Sequence, residues 1–246
     1  MPYRRLPTTD KARIRALEAA LQIAADRDAG KLAFSKNTLA ELKNVKANFE
    51  NHLTHHELDV KIESEKIPGY RASFEKARLY VSHFVQVLFM NIEREELKDD
   101  VLLFYGLQDA GRKVPSLATE QELLDWGRMI IQGEQKRMQK GGSPIYNPSI
   151  ALVKVRIEDF NEAAIFQHNL KKNTLRSYEK MQMLRKTTND FISRMWSEIE
   201  ENLGNLPPKH KRQRAQEYGV VYIFRRNEKK KLKTEGMQVD LLFDFN

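Results

Sequence analysis

Three polar side chains on one turn of an apolar run, and one carboxylate on the apolar face of another helix, are the groups best placed to do chemistry in this chain. Ser82, His83 and Gln86 fall within about 100° of one another on a helix. They lie inside Leu79 to Ile92, the longest stretch without a charged residue. Glu134 sits near the middle of a face that also carries Leu123, Leu124, Gly127, Ile130, Ile131 and Met138. A buried carboxylate there needs a paired cation or several donors, and Arg78 or Arg137 would be the nearby cation. If His83 and Glu134 meet, the cluster has two readings. It is either a buried network that fixes helix register, or a small ligand pocket or acid/base pair with shifted pKa values. The first is favoured, because no Gly-x-Ser-x-Gly elbow and no triad signature accompanies the cluster.

Two other patterns point to less. His52, His55 and His56 crowd one turn, and a pair at i and i+4 can chelate a metal, but His55 faces away from the other two and a third ligand would have to come from another helix. The Glu-x-x-His signature of di-iron bundles fails at every histidine, since the residue three before each is Phe49, His52, Leu53, Tyr80, Ile165 or Pro207. Gly106 to Lys113 superficially resembles a phosphate loop, yet Arg112 separates Gly111 from Lys113 and Val114 stands where Ser or Thr is needed. No metal and no cofactor is expected.

The elements that would position these groups read as helices. Thr8, Thr9 and Asp10 offer N-caps to a first helix with Ile14, Leu17, Leu21 and Ala24 at helical spacing, ending near Asp28 and Gly30. Ser35 opens a second, with Leu39, Leu42, Val45, Phe49 and Leu53 on one face. The stretch Leu58, Val60, Ile62 alternates instead, and Pro68 and Gly69 are expected to break the chain. A central helix then runs from about Tyr70 to Glu96. Its apolar residues cover nearly the whole circumference, which predicts a helix enclosed by others. Asp99 and Asp100 cap a short helix through Tyr105, and Thr119 with Glu122 forms a capping box for a fourth long helix ending at Gly141 and Gly142. Ile150 to Leu203 reads as helix throughout. Unbroken it would run roughly 80 Å, so a break is expected in the polar run from Gln167 to Thr174. Beyond Pro207 and Pro208 come a short basic helix, Lys209 to Glu217, and a β-prone run, Val220 to Phe224. Val239, Leu241, Phe243 and Phe245 alternate with Asp240, Leu242 and Asp244 and would pair with that run as a hairpin.

Composition sets the limits. The chain has 246 residues, of which 41% are hydrophobic, enough for a sizeable core. The absence of cysteine excludes disulfides and thiolate chemistry and fits a reducing compartment. The start, Met1 to Lys11, has no apolar segment of the secretory kind, and cytoplasmic localisation is expected. A membrane span needs about 20 apolar residues; the uncharged run has fourteen, bounded by Arg78, Glu93 and Arg94, so no membrane partner is expected. The net charge is +8, and residues 207–233 carry all of it: ten cations against Glu217 and Glu228. Lys209, Lys211, Arg212, Arg214, Arg225, Arg226, Lys229, Lys230, Lys231 and Lys233 bracket Tyr218, Tyr222 and Phe224. That combination suits phosphate contact and base stacking, although charged runs often only solubilise.

Met1 to Asp10 (MPYRRLPTTD), Arg78 to Val87 (RLYVSHFVQV), Phe104 to Leu107 (FYGL), Gly133 to Arg137 (GEQKR), Gly141 to Ser149 (GGSPIYNPS) and Glu217 to Tyr222 (EYGVVY) together resemble a family of largely helical Bacteroidota proteins with no assigned activity. The resemblance implies a helical bacterial protein and carries over no residue roles. The expectation is a mainly α protein: an antiparallel bundle of about six helices over residues 1–206, with a basic helix and small C-terminal β hairpin, 207–246, packed on it. Its expected role is that of a non-catalytic scaffold binding protein, itself or another. The alternative is a nucleic-acid-associated protein acting through 207–233, with an enzyme in third place.

Overall fold

Thr9 keeps an extended backbone and turns its hydroxyl oxygen to the Ala12 N–H at 3.2 Å, which opens helix α1 (Asp10–Asp26). The structure, a computed structural model, describes residues 2–27 and 31–224. The expected end of α1 at Asp28 and Gly30 lies outside them. Ser35 accepts from the Thr38 N–H and opens α2 (Lys36–Glu93). After it come a 3₁₀ turn (Asp99–Val101), α3 (Leu102–Tyr105), α4 (Glu120–Gln139), α5 (Ile150–Asn202) and α6 (Pro208–Glu217). Two short strands, β1 (Tyr3–Arg4) and β2 (Tyr222–Ile223), pair antiparallel with Tyr3 opposite Ile223 and Arg4 opposite Tyr222. Among the described residues the fold is thus mainly α, with six helices and one small antiparallel sheet. The described partner of the Val220 to Phe224 run is the N-terminal strand. The expected strand at Val239 to Phe245 lies outside the described residues.

Two expected breaks are absent. Pro68 sits inside α2, which continues from Lys36 to Glu93 and absorbs both the predicted second helix and the central one. Proline removes one N–H, to the Ser64 carbonyl, and crowds that carbonyl. Both residues are exposed, so the freed carbonyl can turn to solvent, while turns on either side are anchored by buried Phe49 and Ala77. Leu58 and Val60 are exposed positions of this same helix rather than a strand. In α5 the polar run causes no interruption, because nothing between Ile150 and Asn202 is a glycine or proline.

The chain divides into two compact units, Met1–Glu57 with Arg176–Asn246, and Leu58–Leu175. This division falls elsewhere than the expected boundary at 206. In the first unit, Leu17 and Ala20 of α1, Leu42 of α2, Ile192, Met195 and Trp196 of α5, and Ala215 and Tyr218 after them share one core. Phe49, Met181 and Leu184 form a smaller cluster. Arg185 and Arg13 both pair with Asp10, at 2.7 and 3.0 Å. The Arg185 guanidinium, with Arg13 beside it, holds the Asp10 carboxyl below its ordinary value.

In the second unit, Val81, Phe84, Val85, Leu88, Phe89 and Ile92 of α2 pack with Leu123 and Ile130 of α4 and Val153, Ile157 and Phe160 of α5. They occupy one side of α2 only. Leu79 is 49% and Met90 42% exposed, so the central run is a half-buried helix and not an enclosed one. Counting apolar residues around a circumference overstated its burial, since exposed apolar side chains are common on protein surfaces.

Replacing Pro68 with alanine restores the missing N–H and relieves the clash with the preceding turn. The variant should unfold with a stability about 1–3 kcal/mol above wild type, read from urea or thermal denaturation. An unchanged or lowered stability would mean that the helix is not continuous through residue 68.

Candidate functional site

Glu134 is fully buried, as the apolar face of α4 requires. Four donations from three residues occupy both its oxygens. Arg137, one turn on, gives Nε to Oε2 at 2.8 Å and Nη2 to Oε1 at 2.9 Å. The Tyr105 hydroxyl, from α3, donates to Oε2. The Ile145 N–H, from the loop after α4, donates to Oε1 at 3.0 Å. Arg137 closes the network by giving Nη2 to the Ser143 carbonyl at 2.5 Å and Nε to the Tyr105 hydroxyl at 2.9 Å. One carboxylate and one guanidinium thereby fasten α3 and residues 143–145 to α4.

Burial pushes the Glu134 carboxyl up, but the bonds from Arg137, Tyr105 and Ile145 outweigh it and hold the group below its ordinary value. Burial and the neighbouring carboxylate push the Tyr105 hydroxyl far up. The cluster is therefore a carboxylate, a guanidinium and a neutral phenol across the ordinary pH range. Two glycines let the segments come this close. A Cβ on Gly133 would lie 2.6 Å from the Phe104 carbonyl oxygen, and one on Gly142 would lie 2.6 Å from Arg137 Nη1.

His83 takes no part in this network. It is exposed, as is Gln86, which donates to the Ser82 hydroxyl at 3.2 Å. Arg78 is at the surface beside Glu75, at 3.5 Å. Of the six residues expected to cluster, Glu134 and Arg137 are joined in the buried network, and Ser82 and Gln86 form a separate pair on α2. Sequence reasoning missed Tyr105 and the Ile145 N–H. The short spacing from Gly133 to Gly142 around Glu134 and Arg137 was the available signal, since small residues flanking a buried pair mark close backbone approach.

A second carboxylate in this unit joins three helices. Glu120, first residue of α4, accepts from the Tyr70 hydroxyl of α2 and lies 3.0 Å from His168 Nε2 of α5. Burial, aided by Glu120, pushes the Tyr70 hydroxyl up to about 12. His168 is well exposed, so this contact is a surface link. His56, in the other unit, meets the Ser177 hydroxyl at 3.0 Å. Among the described residues no group of three or more histidines and carboxylates could hold a metal ion. No helix there is long and apolar enough to cross a membrane.

The basic segment is described only in part. Arg225, Arg226, Lys229, Lys230, Lys231 and Lys233 lie outside the described residues, whereas Lys209, Lys211, Arg212 and Arg214 are on α6. The aromatics expected to be exposed beside them are not. Tyr218 is buried, with its hydroxyl accepting from the Ala33 N–H at 3.2 Å, and half-buried Tyr222 donates to Glu200. Core packing has taken both rings.

Glu134→Gln leaves Arg137 buried without its counter-charge and should cost about 3 kcal/mol or more. A variant with Tyr105→Phe, Glu134→Leu and Arg137→Met together removes every charge and the orphaned hydroxyl, and should recover to within about 1–2 kcal/mol of wild type. The sign with pH follows from the lowered carboxyl. The stability that Glu134 supplies is complete above its unfolded value near 4.5 and is lost as pH falls through the lower folded value. Acid titration of stability should be shallower below pH 4.5 in Glu134→Gln than in wild type; parallel curves would count against a charged Glu134.

No family model, curated protein or solved structure matches the chain.

Proposed function

We propose that the protein is a non-catalytic interaction scaffold whose recognition point is the corner built by α3 and the loop after α4. One observation carries this. The two most exposed large apolar side chains among the described residues are Tyr146, at 70%, and Leu103, at 67%. Both belong to segments that Glu134 fastens to α4: Leu103 is two residues before Tyr105, and Tyr146 follows Ile145. A buried ion pair is a weak source of stability compared with apolar packing of the same volume. Its benefit here is position, because it holds backbone that carries exposed apolar groups.

Preorganised aromatic and aliphatic anchors raise affinity by lowering the ordering cost of binding. Leu103 also lines an open groove of about 420 Å³ with Leu102, Leu107, Asp99 and Asp100. Arg112 engages Asp99 at 2.6 Å. Such a groove suits a protein partner that offers an apolar side chain with a cation next to it. The buried cluster itself has both oxygens of Glu134 occupied by donors and its side chains buried, which speaks against substrate chemistry at that point.

A photo-crosslinking amino acid placed at Tyr146 or Leu103 tests this, with exposed Glu158 of α5 as the control position. Discrete adducts are expected from 146 and 103 and not from 158. Tyr146→Ala with Leu103→Ala should abolish the complex without lowering the melting temperature. Repeating the reaction on purified protein across concentrations separates a second copy from another partner. Equal labelling at all three positions, or none, would reject the assignment.

A further inference from the structure

We propose that α6 docks the phosphate backbone of a nucleic acid, without reading its sequence. The helix carries Lys209, Lys211, Arg212 and Arg214 and one acid, Glu217. Glu217 is already shared, by Arg214 at 3.0 Å and Arg27 at 2.7 Å. Lys209, Lys211 and Arg212 have no acidic partner among the described residues. Some other cations of the same unit do have acidic partners: Lys46 with Glu50 at 2.6 Å and Arg194 with Glu41 at 2.7 Å.

Placement strengthens the point. Ala215 is the buried residue of α6, Lys211 and Arg212 are half-buried on either side of it, and Lys209, His210 and Arg214 are exposed. Long stems cover the apolar seam while their charged ends remain in water, so positive charge lies along both flanks of the helix. The helix is held in place at its end by buried Tyr218. With Tyr218 and Tyr222 engaged internally, neither tyrosine beside α6 is free to stack on bases. The contact is therefore electrostatic and indifferent to sequence. A bilayer is the poorer match, since a membrane-surface helix needs large apolar side chains to insert. In α6 the only such candidate, Ala215, is small and already buried. The sequence adds to the charge: residues 207–233 hold the chain's entire excess of +8.

The test is fluorescence anisotropy of labelled duplex DNA and single-stranded RNA of several sequences, over a salt series, with the full chain. Wild type should bind all of them with an affinity that falls steeply with salt. Lys209→Gln with Lys211→Gln and Arg212→Gln should weaken binding evenly across sequences. It should also make the slope of log affinity against log salt shallower by roughly 2 to 3 on duplex DNA. A control removes three cations that already have acid partners, Lys61, Arg128 and Lys154, each changed to glutamine, and should keep the wild-type slope. Circular dichroism and melting temperature establish that both variants fold. Three results would overturn the proposal: an α6 variant with the wild-type slope, an equal loss in the control, or retention on phosphatidylserine vesicles with no nucleic-acid binding.

Discussion

Within Leu58–Leu175 one carboxylate decides where three pieces of backbone go. Glu134 accepts from its own helix, from α3 and from the loop after α4, and without it Arg137 would be a buried cation facing a carbonyl and a phenol. Hydrophobic contact brings α2, α4 and α5 together but has no directional preference and tolerates sliding. Hydrogen bonds to a buried charge tolerate little, because each unmet donor costs on the order of 1–3 kcal/mol. The core therefore supplies attraction, and the Glu134 cluster supplies register.

Much of this was legible locally. Thr9, Ser35 and the Thr119–Glu122 box announce helix starts within a single turn, and each is a start in the structure. Glu134 stood out as a carboxylate among leucines and isoleucines, and the demand for a cation led to Arg78 or Arg137, of which Arg137 is the partner in the structure. Its remaining donors were not legible, since Tyr105 precedes it by 29 residues and periodicity gives only a direction about a helix's own axis. The same limit misplaced His83: it shares a turn with Ser82, but nothing in the sequence says which side of α2 its neighbours cover. Pro68 shows a different limit. Its local cost was read correctly as a tendency to break, and was outweighed by packing on both sides of it.

The two proposed surfaces use opposite physics. Around Leu103 and Tyr146, apolar groups are exposed at positions fixed by a buried charge pair, which favours a contact of defined shape. On α6 the apolar part is buried and the charge faces out, which favours a contact of defined sign and loose geometry. Such contacts associate fast and respond to ionic strength, whereas shape-matched contacts differ mainly in how slowly they release.

Continuity of α2 and α5 through both units has a consequence for how the chain is made. Leu58–Leu175 is one uninterrupted segment, while the other unit combines both ends of the sequence. On a ribosome, α1 and the first turns of α2 emerge early, with Leu17, Leu42 and Phe49 awaiting Trp196, Met195 and Met181. About 120 residues separate the two halves of that core, roughly 6–24 s of synthesis at 5–20 residues per second. For that interval the apolar face of the amino-terminal helices is without the carboxy-terminal residues that cover it in the finished fold. The middle segment can meanwhile complete its own core.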